Sequence, residues 1–236
     1  MMRERLELLL RLQEQDRRIR ELGERLRRLA NQKESLEEKI AAQRAELERK
    51  REALEELRHE SHRRNDEVDS LDYQIRRYQK ELDEGIISYK EMEILREKIA
   101  HSRSRMEELE DEAIALMNEI DRREEEFAAE EAEAAAREEE LRGEIRRVEE
   151  ESAARKTELE EAKKQRAELA GGVERHLLEQ YERLLRDYGY ESPIVGVEGE
   201  SCSGCKMRLS QNTLERLREG RELVVCENCH RILYWD

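Results

Sequence analysis

From Leu12 the sequence can be stepped by sevens through Ile19, Leu26, Lys33, Ile40, Leu47, Leu54, Ser61, Val68, Ile75 and Leu82, and nine of these eleven positions are apolar. A companion column, Leu8, Gln15, Leu22, Leu29, Leu36, Gln43, Lys50, Leu57, Arg64, Leu71 and Tyr78, completes a two-column seam of the coiled-coil type. Such a register is rarely kept by a helix lying on an ordinary globular core. A second series runs through Met92, Ile99, Met106, Ala113, Ile120, Phe127, Ala134, Leu141 and Val148, then weakens at Arg155, Ala162 and Leu169, with a poorer companion column. One proline in 236 residues leaves almost nothing to interrupt either run.

Between the two series lies LDEGIISYKEME. Gly85 can end the first helix, Ser88 and Glu91 match the capping box, and Ile87 with Met92 occupy the places of a hydrophobic staple, so the second helix is expected to begin at about Tyr89. Arms of residues 1–83 and 89–170, each about 120 Å long at helical rise, joined by a turn at about 83–88, predict an antiparallel coiled-coil hairpin over residues 1–170. Folding there sets Leu82 against Met92, Ile75 against Ile99, Val68 against Met106, Leu54 against Ile120, Leu47 against Phe127 and Leu26 against Val148. Lys33 opposite Leu141 and Ile19 opposite Arg155 are weak layers, so the end away from the turn is expected to splay. The rival arrangement is a parallel homodimer of straight chains.

Gly171 and Gly172 close the second arm. VERHLLEQYERLLRDYGYESP reads as a connecting helix within residues 171–192, with Val173, Leu177, Leu178, Tyr181, Leu184, Leu185 and Tyr188 on one side. From Pro193 to residue 236 the helical pattern gives way to short strand-like runs, IVGV, ELVV and RILYW, set around four cysteines. Cys202, Cys205, Cys226 and Cys229 form C-x2-C-x20-C-x2-C and are the only cysteines in the chain. Two such pairs aim four thiolates at one ion, which predicts a closed structural zinc site whose metal supplies folding energy to a module too small to find it in its own core. The fold class is thus mainly α: a long antiparallel coiled-coil hairpin, a short helix and a small β zinc ribbon.

Composition limits the function. Charged residues make up 45% of the chain and the net charge is -15, which argues against nonspecific coating of nucleic acid along its length. No stretch approaches the ~20 apolar residues of a membrane helix, and Leu8–Leu10 is too short for a signal-peptide core. No membrane association is expected, and the protein is read as cytoplasmic, where thiols stay reduced. The histidines, His59, His62, His101, His176 and His230, follow no metal-ligand spacing, and no nucleophile triad or phosphate loop is present. A two-helix coil offers no cavity for a small-molecule substrate, so the chain is expected not to be an enzyme.

Two surfaces stand out as candidates for partners. Tyr73, Tyr78 and Tyr89 cluster at the turn and Tyr181, Tyr188, Tyr190 and Tyr234 near the cysteine module, with none from 90 to 180. Tyrosine is enriched at interfaces, so Ile86, Ile87 and Tyr89 form a candidate protein-binding tip; the competing reading is that these residues simply close the end of the coil. Lys206, Arg208, Arg216, Arg218 and Arg221 stand against Glu215 and Glu219, a local excess of three positive charges that Glu198, Glu200, Glu222, Glu227 and Asp236 counterweigh, with Tyr234 and Trp235 as stacking candidates for nucleic acid. The competing reading packs those aromatics against the connecting helix.

CSGCKMRL, ELVVCENCHRILYW and LDEGIISYKEMEILREKI together resemble the bacterial coiled-coil proteins that end in a four-cysteine zinc ribbon. The second knuckle departs from that family's usual C-P-x-C-G form, with Glu227 for proline and His230 for glycine. The resemblance implies an adaptor or chaperone-like regulator that binds sigma-N or flagellar and type III secretion components, some members also binding nucleic acid. The expected function is therefore a noncatalytic adaptor working through its coiled coil, with one zinc ion in the ribbon as a second recognition module. The alternatives are a nucleic-acid-binding regulator acting through the ribbon and a structural spacer.

Overall fold

The computed structural model describes residues 2–188 and 192–235. Among them are four helices and four short strands, in the order α1 (Met2–Glu84), α2 (Tyr89–Gly171), α3 (Arg175–Asp187), β1 (Ile194–Glu198), β2 (Ser201–Cys202), α4 (Gln211–Glu219), β3 (Val224–Val225) and β4 (Ile232–Tyr234). Tyr190 lies outside the described residues. The chain divides into two compact units, Leu36–Glu144 and the remainder, Met1–Ser35 with Ile145–Asp236.

In the Leu36–Glu144 unit the heptad columns face inward. Leu36, Leu54, Ser61 and Ile75 on α1 and Leu95, Ser102, Leu109, Ala113 and Ala134 on α2 are buried, and Ile40, Leu47, Val68, Ile99, Met106, Ile120 and Phe127 are half-buried. Lys50 is the exception in its column: its exposed ammonium reaches Glu130 Oε2 at 2.5 Å. Arg44 pairs with Glu138, Arg58 with Glu124 and Arg64 with Glu112, while Gln43 Nε2 donates to the carbonyl of Ala134 at 2.8 Å. Partner numbers fall on α2 as they rise on α1, the pattern of an intramolecular antiparallel hairpin; a parallel homodimer would bring similar numbers together. Arg44, with help from Arg142, holds the Glu138 carboxyl down at about 2. Exposed pairs of this kind contribute little stability each; their consistent register chiefly disfavours slipped pairings.

The connection follows the capping-box reading. Glu91 Oε2 accepts from the Ser88 amide at 2.7 Å, and the Glu91 amide donates back to Ser88 Oγ at 3.3 Å. The Ser88 backbone donor is the main reason that the Glu91 carboxyl lies below its usual range. At Gly85 a Cβ would come within 2.3 Å of the Glu81 carbonyl oxygen, so the turn needs glycine for space.

In the second unit the weak end of the seam is filled. Leu9 and Leu12 of α1 share one core with Tyr181, Leu184 and Leu185 of α3 and with Ile194 and Ile232 of the sheet, and Leu169, Ala170 and Val173 pack against it. Lys33 avoids an apolar layer by reaching Glu149 Oε1 at 2.7 Å, and Arg25 reaches Glu151 at 2.8 Å. The fully buried Tyr181 donates its hydroxyl to Asp16 Oδ2 at 2.9 Å, and Arg166 Nε donates to Asp16 Oδ1 at 3.2 Å. Burial first, and the Asp16 charge second, push the Tyr181 hydroxyl well above its ordinary range, so it stays a neutral donor.

The four strands run in the order β2-β1-β4-β3, with β1 and β4 parallel and both outer pairs antiparallel. Gln13 ties this sheet to α1: its Nε2 donates to the Ile194 carbonyl at 3.1 Å and its Oε1 accepts from the Ile194 amide at 2.7 Å. A buried glutamine thereby satisfies both backbone groups of the first strand residue. The helix α4 was not expected from the strand-like reading of the cysteine module. It starts at Ser210, whose Oγ accepts from the Thr213 amide at 3.2 Å, and stops at Gly220, which is left-handed at φ 58. Replacing Gln13 by Leu strands two backbone groups in the core, and the expected loss is about 1–3 kcal/mol, read as a lower denaturation midpoint than that of the exposed-site control Arg11→Leu.

Candidate metal centre

Each cysteine pair forms the same local turn. The Lys206 amide donates to the Cys202 carbonyl at 2.8 Å and the His230 amide to the Cys226 carbonyl at 2.9 Å; the Cys202 amide donates to Met207 O and the Cys226 amide to Arg231 O, both at 2.9 Å. The residue after each pair, Lys206 at φ 61 and His230 at φ 56, is left-handed. The two knuckles bring all four sulfur atoms within 4.8 Å of one another, with Cys202 Sγ 3.8 Å from Cys229 Sγ and Cys205 Sγ 3.7 Å from Cys226 Sγ. A tetrahedron with Zn–S bonds of about 2.3 Å has edges of about 3.8 Å. The spacing therefore fits one zinc ion held by Cys202, Cys205, Cys226 and Cys229. Four thiolates leave no open coordination position, so the metal's role there is structural.

The thiols are tuned unequally. Burial raises Cys202, and it pushes Cys229 up to about 12; Cys205 is lowered, chiefly by the Met207 amide pointing at its sulfur. Amides of Gly204 and Cys205 point at Cys202 Sγ, and that of Arg231 at Cys229 Sγ. These donors stabilise thiolates once a dication has drawn the protons off.

Surrounding groups account for the first of the two departures from the expected knuckle pattern. Glu227, standing where proline is usual, accepts hydrogen bonds from the hydroxyls of Ser210 and Thr213, which hold its carboxyl below the usual range and tie the second knuckle to the start of α4. His230 fills a left-handed position that glycine takes at less cost. The hydroxyl of Tyr188 donates to the carbonyl of Cys229, and the guanidinium of Arg231 lies 3.9 Å from the centre of the Tyr188 ring. Nothing in the sequence pattern marks Arg231 as buried, yet it is only 8% exposed.

The basic residues between the pairs do not form a free cationic face. Lys206 pairs with Glu198 at 2.9 Å, Arg208 Nε with Glu200 at 3.0 Å, Arg216 with Glu222 at 2.8 Å and, more loosely, Arg221 with Glu219 at 3.9 Å. Arg218 lies over the Trp235 ring at 5.3 Å, and Tyr234 packs against the core beneath α3. At the interhelical connection, Ile86 and Tyr89 are exposed, at 107% and 73% of their reference areas, whereas Ile87 is half-buried, as a staple residue should be.

Zinc removal is expected to unfold the ribbon while most of the helical signal persists, seen by circular dichroism and Trp235 fluorescence during chelator titration. His230→Gly relieves the left-handed strain by about 0.5–1 kcal/mol. That substitution should shift the chelator midpoint upward about two- to fivefold; a lower midpoint would show that the imidazole itself supports the knuckle.

Known folds and domains agree with this geometry. A search among curated proteins gave no match. Solved structures do match: CT398 from Chlamydia trachomatis at TM-score 0.78 and 25% identity, covering 100% of this chain and 99% of that one. A Mycobacterium smegmatis protein matches at 0.70 and 22%, and HP0958 from Helicobacter pylori at 0.55 and 23%, each over 99% of this chain and 98% of its own. The C4-type zinc ribbon domain matches residues 201–233. The CT398-like coiled coil hairpin domain matches residues 12–189, more than half of the chain, which therefore belongs to the family of CT398-like coiled-coil hairpin proteins.

Proposed function

We propose that the protein is a noncatalytic adaptor that holds a protein partner at its interhelical connection and uses the zinc ribbon as a second recognition module. The observation that carries this reading is the pair of exposed apolar side chains, Ile86 and Tyr89, flanking a turn fixed by a reciprocal capping box. Large apolar side chains held in a rigid turn lose little conformational freedom on docking, which favours a protein interface. Tyr73 and Ile94 add exposed apolar surface within the same unit. The four-thiolate geometry supports a recognition role for the ribbon over a catalytic one, because it leaves the metal no substrate position. The pairing of the ribbon's basic side chains with carboxylates weighs against the nucleic-acid alternative, since phosphate contacts would have to break those pairs first.

The partner class follows from the family resemblance: sigma-N first, then flagellar or secretion proteins. The test is capture of purified sigma-N by the full-length protein and by the Ile86→Ser/Tyr89→Ser variant, which leaves the Ile87 staple in place. Losing two anchors of this kind should weaken capture about tenfold or more, with helicity unchanged. Equal capture by both proteins would overturn the assignment to the connection, and no capture by either would overturn sigma-N as the partner.

A further inference from the structure

In the unit that carries the metal centre, an open groove of about 790 Å³ runs between the start of α1, the end of α4 and the end of β4. Its floor is apolar: Leu6 and Leu10, one turn apart on α1, Leu217 of α4, Leu223 and Tyr234. All five are half-buried, packing on one side against a core of this unit and lining the groove on the other. Trp235 stands at the edge with 43% of its area exposed, and the Arg218 guanidinium lies 5.3 Å from the centre of its ring. We propose that this groove receives an amphipathic helix of a partner protein, with acidic residues beside its apolar face. Such docking makes the ribbon's role as a second recognition module specific, and it rests on that reading rather than on the one for the interhelical connection.

Charge at the rim selects the acidic flank. Glu7 is engaged by Arg3 at 3.5 Å and Glu222 by Arg216 at 2.8 Å. Arg218, the remaining charged side chain of the lining, has no ion-pair partner among the described residues; its contact is with the Trp235 ring. The uncompensated rim charge is therefore positive, in a chain of net charge -15. That net charge disfavours a second copy of this chain as the occupant, because like-charged molecules repel. A carboxylate placed over Arg218 gains a partner without breaking an existing pair.

The construction of the floor favours a helix over an extended strand. β3, which follows Leu223, is two residues long, too short to template an added strand, so an occupant meets side chains and no backbone ladder. A floor of side chains drawn from several elements suits the one-sided anchors of a helix at i, i+3 and i+4. Tryptophan and arginine are the residue types that most often dominate interface energetics. With its guanidinium already resting on the indole, Arg218 loses little further freedom on meeting a carboxylate.

The test is an anisotropy titration of the full-length, zinc-loaded protein, at near-physiological ionic strength to screen its overall charge. Three fluorescein-labelled helical peptides serve as probes: leucines on one face flanked by glutamates, the same leucines flanked by lysines, and serines in place of the leucines with the glutamates kept. The leucine/glutamate peptide should bind saturably, the lysine peptide about two- to fivefold more weakly and the serine peptide at least about tenfold more weakly. Arg218→Glu, at an exposed position, should reverse the preference between the first two peptides, and Trp235→Ala should weaken binding about tenfold or more. Arg218→Glu keeps the test decisive if Trp235→Ala loses zinc. The Ile86→Ser/Tyr89→Ser variant should bind the leucine/glutamate peptide as the unmodified protein does, which separates failure at the groove from failure at the connection. No saturation, equal binding of the serine peptide, a charge preference that Arg218→Glu leaves unchanged, or weaker binding by the Ile86→Ser/Tyr89→Ser variant would overturn the proposal. A dimer in sedimentation that Trp235→Ala disperses would also overturn it, in favour of a second copy as occupant.

Discussion

The ribbon depends on four sulfur atoms being held at the corners of a tetrahedron whose edges are about 3.8 Å. Its strands are two to five residues long, and its own buried cluster is built from Val195, Leu209, Leu214, Val224 and Leu233 together with Cys202 and Cys226. So small an apolar core cannot offset the entropy of ordering the module. A metal centre can, because each knuckle exchanges several loose backbone torsions for a fixed turn, and the ion locks the two turns to each other. The same turns set the sheet: the first knuckle begins in β2, the second lies between β3 and β4, and β4 pairs in parallel with β1. The metal therefore organises the strand that Gln13 and the α3 core receive.

The heptad columns made the hairpin legible in the sequence, because a period of seven kept through eleven positions has few other physical explanations. The capping box did the same for the start of α2, since Ser88 and Glu91 satisfy each other's amides locally and owe nothing to distant residues. The cysteine spacing gave the four ligands for a similar reason: knuckle geometry is local. Elements that depend on distant contacts were harder to read. Arg231 looks like a surface arginine until Tyr188 and Gly204 are seen on either side of it. Gln13 sits between the two heptad columns and follows no pattern, because its reason for being there is the backbone of Ile194, 181 residues away.

The helix α4 is a different kind of miss. Ser210 at its N-cap and Gly220 at its C-terminus are both signals in the sequence, but the strand-like runs on either side share a pattern that points to sheet alone. Glu227 shows why a departure from a family pattern can be informative. The usual proline would stiffen the knuckle, whereas the carboxylate bonds to Ser210 and Thr213 and fixes the knuckle to the helix cap. Rigidity is reached through a tertiary contact in place of a covalent ring.

The distribution of burial follows from the same physics. A seam between two helices is a single layer of side chains, so many of its apolar positions stay only half-buried. Depth arises where further elements pack on the seam, as α3 and the sheet do on Leu9 and Leu12. There the polar groups that must be satisfied, Asp16, Tyr181 and Gln13, are engaged with one another or with backbone. The connection has the opposite character, with Ile86 and Tyr89 exposed on a turn whose backbone needs are met locally. One unit thus turns its polar groups toward a stacked core and the other presents an apolar projection, and each is a consequence of how many layers the chain can stack at that place.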